Sequence, residues 1–297
     1  MIARRALLRA AAFLGAASLR ARIAHAGGRT PYGGRVRLHV PWPLSSVDPH
    51  RIDDPAAALF GDALFDSLYA RDEAGAFIPS LAGGDPQPDG KTLRVPLRPS
   101  VRFASGSPLD GRTVAASIAR ARTHGAAAWL AEIPAPQIDQ GDLVFASRDA
   151  RKLVRALASP LVAVVPPHFL PERPDGTGPL RADLQRGVLV LSRNTLAANG
   201  PAFLDAIEAR YAPDLSTSLR AFESRADDVG WLGSFLHEPR PGARSFDGGV
   251  VAWAVLRTGR DAGSLHIQGV AQALADGIPH ASLASLVVGA PWATGSG

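Results

Sequence analysis

Asp48-Pro49-His50, Leu64-Phe65-Asp66-Ser67-Leu68-Tyr69, Pro79-Ser80-Leu81-Ala82, Asp89-Gly90-Lys91-Thr92-Leu93-Arg94-Val95-Pro96-Leu97-Arg98 and Val101-Arg102-Phe103-Ala104-Ser105-Gly106 follow one another between residues 48 and 120. Within that block Leu93, Val95 and Leu97 alternate with polar or proline positions, the period of a half-buried strand. Pro96 places this strand near an edge or bulge. Val101 and Phe103 extend the alternation beyond Pro99. Upstream, Asp54 followed by Pro55 is a helix start, with Leu59, Phe60, Ala63, Leu64 and Leu68 expected on one face. Gly75 and the stretch 86–90 read as turns around a short extended segment, 76–81. Downstream, Val114, Ile118 and Ala121 predict an amphipathic helix from Asp110 that ends before Gly125.

Outside the block the same alternation of element types continues. Val36, Leu38 and Val40 form a first strand stopped by Pro41-Trp42-Pro43. Residues 142–146 predict a strand, 149–158 a helix, and 161–165 a buried strand ended by Pro166-Pro167. The second half gives strands at 187–193 and 204–211, then a helix capped by Asp214 that carries Leu215, Leu219 and Phe222. Apolar strands are expected at 229–232 and 250–256, and helices at 269–276 and 280–287. Strands and helices are interspersed, so the fold class is α/β.

The chain ends bound its location. Arg4, Arg5 and Arg9 precede an apolar run from Ala10 to Leu19 and the small-x-small sequence Ala24-His25-Ala26. Such a pattern reads as an export signal over residues 1–26, the alternative being an ordinary first helix. The apolar run is too short for a spanning helix, which needs about 20 residues. Arg4-Arg5 resembles a twin-arginine signal, although Ala3 and Leu7 depart from that pattern. Without this segment, which holds five arginines and no acid, the 32 basic residues fall to 27, equal to the 27 acidic ones. The positive charge of the whole chain is therefore no argument for nucleic-acid binding. The sequence has no cysteine, which removes disulfides, thiolate metal sites, a cysteine nucleophile and N-terminal lipidation. A soluble, periplasmic, non-lipidated protein is expected.

In their order and spacing the motifs of the opening block resemble the periplasmic solute-binding proteins of family 5, the peptide, dipeptide and nickel-type binding components of ABC importers. Gly176-Thr177-Gly178-Pro179-Leu180 is similar to the turn that returns the family's chain from an inserted subdomain. Leu189-Val190-Leu191-Ser192-Arg193-Asn194, Asp227-Asp228-Val229 and Gln272-Ala273-Leu274-Ala275-Asp276-Gly277-Ile278 are similar to later signposts. The resemblance implies a periplasmic-binding-protein type II-like first lobe, built from residues 27–46 plus 172–297. Residues 47–171 would form an inserted smaller α/β subdomain. It implies capture of peptides or similar small solutes, delivery to ABC permease subunits, no cofactor and no catalysis. Gly297 falls near the point where such proteins begin a second lobe, so a C-terminal lobe is expected to be absent. A one-lobed relative, a truncated product and half of a split system, with the second lobe supplied by another chain, all remain open. A non-transport interaction protein derived from a binding lobe is the alternative from a different class.

Ligand contact is expected at Trp42, His50, Trp231, Trp253 and Arg257, where indole rings give apolar walls and the guanidinium pairs with a carboxylate. Each has a structural alternative: core packing for the tryptophans, a solvated strand end for Arg257, and a turn cap for Asp48 beside His50. The other histidines show no i, i+4 pair, so no metal site is expected. No Gly-x-Ser-x-Gly, phosphate-loop or dinucleotide fingerprint occurs, which leaves no motif for hydrolytic or nucleotide chemistry.

Overall fold

The computed structural model describes residues 32–230, 263, 267 and 269–279. The chain divides into two compact units. Unit 1 holds residues up to Val36 together with Leu44–Glu208, and unit 2 holds Arg37–Pro43 together with the described residues from Ala209 onward.

Unit 1 is organised around a four-stranded antiparallel sheet. Its central pair is β5 (Thr92–Val95) and β7 (Asp142–Phe145), flanked by β4 (Gln87–Asp89) and β6 (Gln137–Asp139). The register sets Leu93 opposite Phe145 and Val95 opposite Leu143. These four side chains are 0–2% exposed. Because strand side chains alternate faces, Arg94 and Val144 project to the other side, where Arg94 bonds Asp139. The buried face is covered by α2 (Gly111–Thr123) through Val114, Ile118 and Ala121, and by α3 (Ala150–Leu157) through Leu153 and Leu157. Two further strands, β2 (Tyr69–Arg71) and β3 (Phe77–Pro79), form a separate hairpin.

Aspartates start the helices as expected. Asp54 accepts the Ala57 N–H at the head of α1 (Pro55–Leu64), Asp110 that of Thr113 in α2, and Asp149 that of Lys152 in α3. Each satisfies one of the amide groups that a helix N-terminus leaves without an intrahelical partner. α1 is shorter than the sequence predicts. Phe65 turns extended and its N–H closes on the Gly61 carbonyl, so Leu68 belongs to the segment leading into β2. The buried face is Ala56, Phe60 and Leu64, while Leu59 is exposed.

The strand expected at 161–165 is not formed. Pro160–Val162 makes one 3-10 turn, and the Val164 and Val165 amides go to the Asp66 carbonyl and the Ser117 hydroxyl. With prolines at 160, 166 and 167 this segment lacks the donors a ladder needs. It is nonetheless buried, which is why its apolar run reads as a strand.

A long hairpin, β8 (Leu180–Gln185) with β9 (Val188–Arg193), completes unit 1. The Arg193 N–H donates to the Asp205 carbonyl at 3.0 Å, and the Asp205 N–H donates to the Gly34 carbonyl at 2.9 Å. β1 (Arg35–Val40) and β10 (Ala206–Tyr211) each pass along the chain from unit 1 into unit 2. In unit 2, Asp214 caps α4 (Leu215–Glu223) by accepting the Thr217 N–H, and α5 (Val270–Gly277) follows. No helix among the described residues is long and apolar enough to cross a membrane. The helix expected at 280–287 and the strand at 250–256 lie outside the described residues.

Candidate functional site

Three places carry the polar chemistry. The first is the exit of β1 in unit 2. Val40 is fully buried and accepts the Ala212 N–H through its carbonyl at 2.9 Å, after which Pro41 and Pro43 deny the chain further ladder donors. Half-buried Trp42 sits between them. On the strand itself His39 Nδ1 meets Asp227 Oδ2 at 2.6 Å, and Arg37 pairs with Asp228 at 3.2 Å. The acidic pair Asp227-Asp228 is thus fastened to alternate residues of β1. Of the other expected contacts, Trp231, Trp253 and Arg257 lie outside the described residues.

The second place is the Asp48-Pro49-His50 corner in unit 1. Asp48 takes two hydrogen bonds from Arg120, at 2.9 and 2.7 Å, and one from the His50 N–H at 3.0 Å. Arg120 also donates to His50 Nδ1 at 2.8 Å. An arginine only donates, so Nδ1 is the acceptor and Nε2 carries the proton, which it gives to the Ala163 carbonyl at 2.8 Å. Ser117 donates to that same carbonyl and accepts the Val165 N–H. The Arg120 guanidinium lies 5.1 Å from the centre of the Phe169 ring. His50 is 0% exposed, and both its ring nitrogens are used inside the fold. That placement replaces the expected ligand contact with a structural one. Asp48 is likewise a structural carboxylate, accepting three donors where the turn reading foresees one.

Sequence reasoning missed Arg120, the residue that ties this corner together. The available signal was faint: Ser117 and Arg120 stand three apart on α2, placing polar groups beside its apolar face.

The protonation states follow from the surroundings. Burial pushes His50 down to about 4, reinforced by the Arg120 charge and opposed by Asp48 and the Ala163 bond. Burial alone would raise Asp48, but the Arg120 hydrogen bonds, the His50 N–H and the Arg120 charge outweigh it and hold the carboxyl below its ordinary value. A histidine held neutral in the folded protein binds fewer protons than in the unfolded chain, so stability is lost as pH falls through the ordinary histidine value toward about 4. Between about pH 7.5 and pH 5 the expected loss is about 2 kcal/mol. Urea titrations at the two pH values check it against His50→Gln, which should remove most of that dependence. Equal pH dependence in both proteins would show that His50 is not the source.

The third place is a groove of about 660 Å³ in unit 1. One wall is the outer face of α1, where Ala57, Ala58 and Gly61 leave a low apolar surface. The opposite wall comes from β2, β3 and the end of α3. Asp66 lines the groove but is engaged, accepting from Thr177 Oγ1 at 2.7 Å and Asn199 Nδ2 at 3.0 Å. Burial raises its carboxyl above the usual range against those two bonds. Among the described residues no cluster of three or more His, Cys, Asp or Glu could hold a metal ion.

The α/β architecture is that of the first lobe of type II periplasmic binding proteins. The sequence profile of the bacterial extracellular solute-binding proteins, family 5, middle region, matches residues 76–241, and the chain belongs to that family. Among solved structures it is similar to the nickel ABC transporter protein of Bacillus halodurans, at 25% identity and TM-score 0.55, over 65% of this chain and 42% of that one. NikA of Staphylococcus aureus in complex with Ni(L-His)2 gives 22% identity and TM-score 0.55 over the same shares. AppA of Bacillus subtilis, an oligopeptide-binding protein in complex with a nonapeptide, gives 17% and 0.56 over 67% of this chain and 44% of that one. The chain thus spans less than half the length of these structures. Among curated proteins none matches the sequence.

Proposed function

We propose that this chain is the first lobe of an envelope solute-binding protein serving an ABC importer, and that it captures peptides or similar small solutes without covalent chemistry. The observation that carries the reading is the family match over residues 76–241. The similar structures from two species of Bacillus and from Staphylococcus aureus include both nickel and peptide binders. The tryptophan-bearing exit of β1, with no cluster of metal-ligating side chains among the described residues, favours an organic solute. In this reading residues 1–26 direct export, Trp42, Trp231, Trp253 and Arg257 face the solute, and permease subunits receive it.

Residues 47–171 are the inserted subdomain. Their ends support this, since the Val47 N–H donates to the Pro171 carbonyl at 2.8 Å. A segment tied at its two ends can be inserted into another domain without disturbing it.

Isothermal titration of residues 27–297 with a mixture of di- to pentapeptides tests the proposal. Saturable heat with micromolar or weaker affinity is expected, because a solute gripped by one lobe keeps one face in water. Trp42→Ala should weaken it about tenfold, equivalent to about 55 Å² of apolar contact at about 25 cal/mol per Å². Absence of saturable heat would overturn the capture reading, and an unaltered Trp42→Ala titration would remove Trp42 from the site.

A further inference from the structure

Among the described residues β8 is joined to β9 on one side and to no strand on the other. The hairpin fixes the direction of its main-chain groups. Gln185 and Val188 flank the two-residue turn Arg186-Gly187, whose φ values of 50° and 77° are those of a tight hairpin turn. Residues flanking such a turn exchange hydrogen bonds. At the other end of the same ladder the Asn194 N–H donates to the Pro179 carbonyl at 2.9 Å. Pro179 and Gln185 therefore face β9, as do Arg181 and Asp183 between them, because main-chain groups alternate along an antiparallel strand. The N–H and C=O groups of Leu180, Ala182 and Leu184 point the other way, and among the described residues none of them has a hydrogen-bond partner. Leu180 is buried, at 4% exposure, so the open stretch begins at Ala182.

A groove of about 380 Å³ follows that stretch, with Ala182, Asp183, Leu184 and Gln185 on one side and Glu172, Arg173 and Pro174 on the other. Consecutive strand residues point to opposite faces, so a groove lined by four in a row lies against the edge of the strand. No proline interrupts Leu180–Gln185, and its pairing with β9 runs without a bulge, so the usual protections of an exposed edge are missing. Outward main-chain groups two residues apart match the main chain of an extended polypeptide. The side chains add a sign. Glu172 and Arg173 are exposed and form no ion pair or side-chain hydrogen bond among the described residues. Asp183 accepts only the neutral amide of Gln185, at 2.8 Å. Arg181 is outside the lining and leans on β9, donating to Ser192 at 3.1 Å. The lining thus sets two carboxylates against one guanidinium, a balance complementary to a basic strand.

We infer that β8 is a docking edge for an extended basic segment of a partner polypeptide, which adds as a further strand beside Ala182–Gln185 and sets a lysine or arginine against Asp183 and Glu172. Apolar residues alternating with those cations would continue the side that Ala182 and Leu184 share with Leu191 and Leu189.

The probe is an end-blocked heptapeptide of alternating lysine and valine with a neutral fluorophore, titrated with the full-length chain and read by anisotropy. Saturable binding is expected. The same peptide N-methylated at every backbone amide keeps its charges but cannot donate to the strand, and should bind at least about tenfold more weakly. Ala182→Pro removes an outward N–H while leaving the bonds to β9, as proline on an edge strand allows, and should weaken binding about tenfold. Asp183→Asn, and a probe with glutamate in place of lysine, should each weaken it about threefold or more. The N-methylated probe needs no variant, so the test holds even where Ala182→Pro fails to fold. No saturable binding, equal affinity for the N-methylated or the glutamate probe, or a titration unchanged by a folded Ala182→Pro would overturn the docking edge. Loss of binding on Trp42→Ala would place the probe at the β1 exit and overturn it too. The peptide calorimetry is read through Trp42 and this titration through Ala182, so either proposal can fail while the other stands.

Discussion

Gly176→Ala is expected to destabilise the protein by about 3 kcal/mol or more, at the upper end of what overpacking costs. A β-carbon built on Gly176 would stand 2.1 Å from the Leu64 carbonyl oxygen and 2.6 Å from the Phe65 ring. The first contact cannot be relieved by a side-chain rotation, because the obstacle is backbone at the C-terminal end of α1. Gly178 is in the same position, 2.6 Å from the Leu64 carbonyl carbon and 2.7 Å from the Ala63 oxygen. Both glycines are needed for close approach. What that approach achieves is a set of hydrogen bonds: Gly178 N–H to the Leu64 carbonyl, Ala104 N–H to the Gly176 carbonyl, and Thr177 Oγ1 to Asp66. Urea unfolding of Gly176→Ala and Gly178→Ala, compared with Gly61→Ala, where an added β-carbon meets nothing within 4 Å, measures the effect. Loss within about 0.5 kcal/mol of the parent, the range of neutral surface changes, would show that α1 and the turn are not packed this closely.

That turn also shows what kind of information the sequence carried. Gly176-Thr177-Gly178-Pro179 is recognisable as a motif, but its reason, contact with the end of α1 more than a hundred residues earlier, is not local. Elements whose cause is local were legible. Asp54, Asp110, Asp149 and Asp214 each stand directly before a helix and accept its N3 amide, and β5, β7 and β9 follow from alternation of buried side chains. Two edge strands were not. β4 and β6 are three residues each, exposed throughout, and exist only because a turn at Gly90 or Gly141 folds them onto a buried neighbour. β8 does alternate, with Leu180, Ala182 and Leu184 in step, yet the glycine-rich turn before it masks its start. The candidate site was less legible than the fold. His50 and Trp42 are both large ring side chains near the same loop, and only three-dimensional placement separates a histidine with both nitrogens engaged in the fold from a half-buried indole.

Arg120→Met is expected to cost about 3 kcal/mol, because it removes one partner of a buried ion pair and leaves the other. Asp48 is 2% exposed and receives two of its hydrogen bonds from Arg120, while the same guanidinium donates to His50 Nδ1. Methionine fills much of the volume of the arginine stem, so the loss reports charge, hydrogen bonding and the guanidinium contact with Phe169 more than volume. Arg120→Lys separates these two contributions. It keeps the charge but cannot donate in a fork to both carboxylate oxygens and the imidazole, and should fall between the parent and Arg120→Met. Asp48→Asn in the Arg120→Met background removes the stranded charge and should recover about 1 kcal/mol or more, a positive coupling that independent sites would not show. Added salt should change these differences little, since Asp48 is shielded from solvent in a way that the exposed Arg51–Asp53 pair is not. Denaturant midpoints of the four proteins at neutral pH decide the matter. A loss for Arg120→Met below about 1 kcal/mol, the range of a surface ion pair, would mean that the corner is solvated and that His50 is free to meet a ligand after all. The expected result makes the opposite case: the Asp48-Pro49-His50 corner is a structural tie that fastens the head of α1 to α2 and to the Ala163 carbonyl.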